Sequence, residues 1–105
     1  MSPPGRFAVR CGDHANPGDP DEEWVVEGFA SAEAAQEYAR RFVRAQIEDL
    51  RPQAASPEDL RDIYWQWGEF AITEGFDQEA WVEFCIATPA ARASETDYEA
   101  LDPGP

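Results

Sequence analysis

The chain opens on an alternation. Over residues 6–11, Phe7, Val9 and Cys11 fall on one side and Arg6, Ala8 and Arg10 on the other, the period-two pattern of a half-buried strand. Residues 12–22 (GDHANPGDPDE) have no apolar period and hold many turn formers, so they read as a long acidic loop. Residues 23–30 (EWVVEGFA) are rich in β-formers and predict the second strand of a hairpin.

The period then changes. Ser31 is suited to cap a helix, with Glu33 in its first turn. Ala35, Ala39, Phe42, Val43, Gln46, Ile47 and Leu50 recur at helical spacing with Tyr38 beside them, and Arg51-Pro52 ends the run. Ser56-Pro57-Glu58-Asp59 is a second start signal, with Asp59 where a capping box usually has Glu or Gln. Leu60, Ile63, Tyr64 and Trp67 follow at i, i+3, i+4 and i+7, and Gly68 is placed as the stop. This phase puts Trp67 in the core and leaves Trp65 beside the stripe.

Residues 69–74 (EFAITE) predict a third strand closed by Gly75. Asp77 is placed to cap a last helix through Thr88, with Trp81, Phe84 and Cys85 on one side and Glu79 and Glu83 on another. Val82, Phe84 and Ile86 also alternate, so a strand is the rival reading; helix propensity favours the helix. The order is β-β-α-α-β-α. It predicts an α+β domain over residues 6–88: an antiparallel sheet of about three strands with helices packed on one face. Residues 1–5 read as a flexible start and 89–105, ending in Pro-Gly-Pro, as a disordered tail.

Charge sharpens the picture. The 105 residues carry 22 acids against 8 basic residues, all Arg, for a formal charge of −14. Only two arginines fall in residues 52–105, against 12 acids. Such a field repels nucleic acid and anionic membranes and attracts a basic partner. No apolar run is long enough to span a bilayer and no signal peptide is recognisable, so a cytoplasmic protein with reduced thiols is expected. Four Trp, six Phe and three Tyr supply enough large side chains for a core without a metal or disulfide.

The chemical candidates are few. Cys11 and His14 have metal-ligand spacing, and Cys85 is the other available thiol, but no second close pair completes a four-ligand zinc site. They read better as core or hairpin-capping residues. Asp19, Asp21 and Glu23 stand at the spacing of oxygen ligands in a calcium loop, which lacks its glycine and its twelfth-position acid. There is one His, no Lys, no Gly-x-Ser-x-Gly and no phosphate-cradling Gly-rich loop. Neither catalysis nor a cofactor is expected. Arg40, Arg41 and Arg44 form a basic patch that reads as charge compensation with Glu37 and Glu48.

FAVRCGDH at 7–14, DPDEEWVVEGF at 19–29, SAEAAQEYARRFV at 31–43 and SPEDLRDIYWQWGEFAI at 56–72 together resemble a group of small uncharacterised acidic bacterial proteins. FDQEAW at 76–81 resembles the start of that group's last helix, which implies a helix there. Cys11-Gly12 stands where the group has Asp-Asn. The resemblance implies the hairpin–helix–helix–strand–helix plan and brings no activity with it.

The expected function is a non-enzymatic interaction module of accessory, inhibitor or immunity type. It would meet a basic protein surface through Glu58, Asp62, Glu69, Glu74, Glu79 and Glu83, with Trp65 as the candidate aromatic anchor, against the competing reading that Trp65 packs half-buried under the last helix. A nucleic-acid mimic and a small metal- or ligand-binding domain at Cys11, His14 and Cys85 are the alternatives.

Overall fold

A computed structural model describes residues 7–13 and 23–101. His14 and the acids at 19, 21 and 22 lie outside the described residues, as do 1–5 and 102–105. The expected roles of His14, of the calcium-like loop and of the flexible start therefore fall outside what the structure describes.

The elements follow the expected order: β1 (Phe7–Asp13), β2 (Glu23–Phe29), α1 (Ala32–Leu50), α2 (Pro57–Trp67), β3 (Glu69–Ile72) and α3 (Gln78–Ala87). The strands form one antiparallel sheet in the order β2-β1-β3. Val9 and Cys11 are fully buried on the face that α1 covers, while Arg10 points the other way beside Val25 and Ile72, both exposed. The register shifts between Phe7 and Ala8, opposite a bulge at Gly28, whose φ of 101° is a left-handed value that favours glycine.

β1 runs two residues further than the alternation predicted. Gly12 pairs with Glu23 on one side and Phe70 on the other. A Cβ on Gly12 would come 2.5 Å from Cζ of Phe70, so the ring occupies the space where a side chain would stand. Glycine is a loop former by propensity, but here it is the residue that lets a neighbouring ring close over the sheet.

All three helix starts are capped as the sequence implied. Ser31 Oγ accepts from Ala34 N at 3.1 Å, Ser56 Oγ from Asp59 N at 3.1 Å and Asp77 Oδ1 from Ala80 N at 3.0 Å. Asp59, one methylene shorter than Glu, reaches back to Ala55 N at 2.8 Å. Residues 78–87 are helix, not strand.

Tyr38, Phe42, Val43 and Ile47 of α1 pack with Leu60 and Tyr64 of α2, Val82, Cys85 and Ile86 of α3, and the inner face of the sheet. One aromatic assignment on α2 reverses, that of Trp67. Trp67 is 63% exposed, whereas Trp65 is half-buried, edge-on to Tyr64 at 5.2 Å. Phase places a residue on a face, but Trp67 is the last residue of α2, where the chain turns away into β3. On α3 the inner side is Val82, Cys85 and Ile86, not Trp81 and Phe84; Phe84 is 49% exposed.

Residues 89–101 are not the disordered tail that their composition suggested. They carry two short 3-10 turns, Ala93–Glu95 and Glu99–Leu101. Tyr98 sets its ring edge-on to Tyr38 at 5.6 Å and Phe42 at 5.0 Å. Tyr98 and Leu101 pack against the core, and Arg41 and Glu48 bond the backbone at Asp97 and Ala90, contacts distant in sequence that hydrophobic periodicity cannot register.

Candidate functional site

The expected acidic set divides into parts. Glu58 and Asp62 are exposed one turn apart on α2, and Glu79 and Glu83 likewise on α3. The two helices meet through Arg61, which donates Nε and Nη2 to Glu83 at 2.7 Å each. The hydrogen bond from Arg61 holds the Glu83 carboxyl below the usual range, and Glu83, with Glu58 and Asp62 nearby, raises the guanidinium. Glu83, Glu58 and Asp62 thus surround one arginine, and Glu79 lies one turn along α3 from Glu83.

Glu69 and Glu74 do not join them. Glu69 is half-buried: its carboxylate accepts from Gln46 Nε2 at 3.2 Å and its carbonyl from the Tyr64 hydroxyl at 3.0 Å. Glu74 is exposed at the turn before α3, where its carbonyl accepts from Gln36 Nε2 at 2.9 Å. Trp65, against Tyr64, is not a free anchor. The exposed aromatic beside the acidic row is Phe84, stacked on Trp81 at 5.2 Å. With Arg40, Phe76 and Ala80 they line an open depression of about 340 Å³. The sequence signal for it was the i, i+4 row of Ala80 and Phe84 alongside Glu79 and Glu83, which the expected Trp81–Phe84–Cys85 face obscured.

Cys11 and Cys85 are both fully buried free thiols. Burial pushes each up to about 12, with Glu69 adding to the effect at Cys11. A thiol so shifted is a poor nucleophile and a poor metal ligand, because both roles need the thiolate. Among the described residues, no group of three or more His, Cys, Asp or Glu could hold a metal ion.

The basic patch does more than balance charge. Arg40 and Arg41 do pair with Glu37, at 2.8 and 2.9 Å, and Arg44 with Glu48 at 3.6 Å. Burial pushes the Glu37 carboxyl up, and the guanidiniums of Arg41 and Arg40 outweigh it, so the net shift is downward. Arg44, however, is only 2% exposed and donates Nη1 to the carbonyls of Thr88 and Cys85. Arg51 donates to Cys85 O at 2.7 Å and Ile86 O at 3.2 Å. α3 has no basic residue in its own last turn, so two arginines from the α1 side satisfy its terminal carbonyls and sit at its negative end.

No helix among the described residues is long and apolar enough to cross a membrane. Comparison with protein-family models, with curated proteins and with solved structures finds no match to this chain.

Proposed function

We propose that this protein is a non-enzymatic interaction module that engages a basic protein surface through the outer face of α2 and α3. The observation that carries the reading is the exposure of Glu58, Asp62, Glu79 and Glu83 on two adjacent helices, with Glu58, Asp62 and Glu83 around one cation, Arg61. Exposed carboxylates of this kind steer a cationic partner and fix its orientation, while affinity comes from an aromatic contact that sheds water. Phe84, beside Glu83 and over the depression at Trp81, supplies that contact. A partner Lys or Arg would lay its aliphatic stem on the ring and its charge among the acids. Kinship with the small acidic bacterial proteins that the sequence resembles belongs to the same proposal, and the shared element order supports it.

The test is an NMR titration of ¹⁵N-labelled protein with an Arg/Lys-rich helical peptide as probe. Shifts clustered on the amides of α2 and α3, weakening with salt, are expected. Shifts spread evenly over every acidic surface would reduce the charge to a solubilising one.

A further inference from the structure

Glu37, Arg40, Arg41 and Arg44 stand at i, i+3, i+4 and i+7 along α1 and so share one face. With Trp81 of α3 and Glu95 of the first 3-10 turn they line a cavity of about 80 Å³. Since about 15 Å³ suffices for one water, the space admits a group of several heavy atoms and no more.

The guanidiniums are only partly used. Arg40 gives Nε and Nη2 to Glu37, and Arg41 gives Nε to Glu37 and Nη1 to the Asp97 carbonyl. Arg44 gives Nη1 to α3. Among the described residues, Arg44 Nε is a buried nitrogen without any hydrogen bond, while Arg40 and Arg41, 35% and 25% exposed, keep an N–H group each beyond those bonds. Arg44 Nη2 stands 3.9 Å from the Glu95 carboxylate, too far for a hydrogen bond. Buried charged groups in folded proteins rarely leave a donor unmet. Capping α3 explains Nη1 of Arg44 and leaves its buried Nε unexplained.

The charge on the lining narrows the ligand. Three arginines face two glutamates on the lining, and Glu48, 3.6 Å from Arg44, is itself matched by Arg51 at 2.8 Å, so a surplus of one positive charge remains in a chain whose formal charge is −14. A single negative charge balances it, and the overall field works against a dianion. We propose that this cavity binds a small organic monocarboxylate, its oxygens bridging the open N–H groups of Arg40 and Arg41 and its short apolar end against Trp81. Arg44 is the buried positive charge behind it. Glu95, whose Oε2 accepts from Ala91 N and Arg92 N at 2.8 and 2.7 Å, holds its carboxylate at the rim as a built-in competitor.

The experiment titrates the full chain with propionate, with inorganic phosphate and with chloride at matched ionic strength. It follows the indole N–H of Trp81, which donates to Arg40 O at 2.9 Å and therefore reports on that wall. The expected result is a saturable shift with propionate and none with chloride. Glu95→Gln should tighten propionate roughly fivefold, because its amide still accepts the two backbone N–H groups while the competing charge is gone; Arg41→Gln should weaken it by a similar factor. The gain expected from Glu95→Gln keeps the test decisive even if Arg41→Gln folds poorly. Shifts that chloride reproduces, saturation unmoved by Glu95→Gln, or tighter binding of phosphate than of propionate would each overturn the assignment.

Discussion

Arg44 of α1 donates its Nη1 to the carbonyl of Thr88, the residue that caps the C-terminus of α3. One long side chain, buried to its guanidinium, thereby joins the longest helix to the end of the last one. Its charge faces Glu48 at 3.6 Å and Glu95 at 3.9 Å, and it lies over the rings of Trp81 and Phe84 at 5.4 and 5.6 Å. The same residue holds the fold and forms the back wall of the cavity.

Removing that side chain should be costly. Arg44→Ala leaves the Thr88 carbonyl without its side-chain donor, the Cys85 carbonyl with Arg51 alone and Glu48 short of one partner. Breaking a buried charged network of this kind typically costs about 3–5 kcal/mol. Urea denaturation should show a loss in that range, and hydrogen exchange should show residues 85–98 opening first. A loss under about 1 kcal/mol, the worth of a surface ion pair, would mean that the buried arginine does not hold the end of α3.

Gly12 and Phe70 make a paired prediction. Gly12→Ala places a methyl 2.5 Å from Phe70 Cζ and should destabilise by about 1–3 kcal/mol through overpacking. In a Phe70→Ala background the nearest obstacle is gone and only Glu23 Cγ, on a flexible side chain 2.8 Å away, remains, so the same substitution should cost less. A double-mutant cycle by chemical denaturation measures the difference. Equal costs in both backgrounds would show that the ring does not set the requirement for glycine.

The thiols should be silent in the native protein. Cys11 and Cys85 stay protonated far past neutrality, since burial carries both from an ordinary 9.0 to about 12. At mildly alkaline pH a disulfide reagent should label neither thiol faster than the chain opens, and both at once in denaturant. The folded state takes up these thiols only as neutral groups, whereas the unfolded chain ionises them from about pH 9. Their contribution to stability is therefore full below that pH and declines above it. Fast native labelling of either cysteine would contradict its place in the core.

The acid side has the opposite sign. Glu37, Glu48, Glu83 and Glu95 all lie below the ordinary 4.5 in the folded chain. Burial raises Glu48, but the Arg51 hydrogen bond and the Ala90 N–H more than reverse it; the Ala91 and Arg92 amides lower Glu95. Such groups bind protons more weakly folded than unfolded, so their stabilisation is complete above pH 4.5 and is lost as the pH falls through the folded values. Relief of self-repulsion works the other way as the chain approaches its isoelectric point near 4.1. The urea midpoint should fall below pH 4.5, and Glu48→Gln should flatten the fall. A midpoint that climbs towards pH 4.1 would mean that repulsion outweighs the ion pairs.

Much of the fold was legible because it is written in local signals. Strict alternation marked β1, and Ser31, Ser56 and Asp77 each cap the helix that they announced. What escaped depends on contacts distant in sequence. Arg44 looked like a surface charge because its real partners, the carbonyls of 85 and 88, lie 41 and 44 residues away. Tyr98 looked like part of a tail because its partners, Tyr38 and Phe42, belong to α1. Of the acidic set, Glu58, Asp62, Glu79 and Glu83 could be read from helical phase. Glu69 could not, since its exposure depends on what packs over the end of β3.

The proposed interaction face rests on whether the carboxylates act by position or only by number. Two quadruple variants separate the two cases: Gln or Asn at Glu58, Asp62, Glu79 and Glu83, and the same change at the exposed Glu27, Glu33, Asp49 and Glu99. Both lose four charges. Calorimetric titration with the basic peptide should show the first variant weakened about tenfold or more, some 1.4 kcal/mol, and the second close to wild type. Equal weakening of the two would contradict a binding face on α2 and α3.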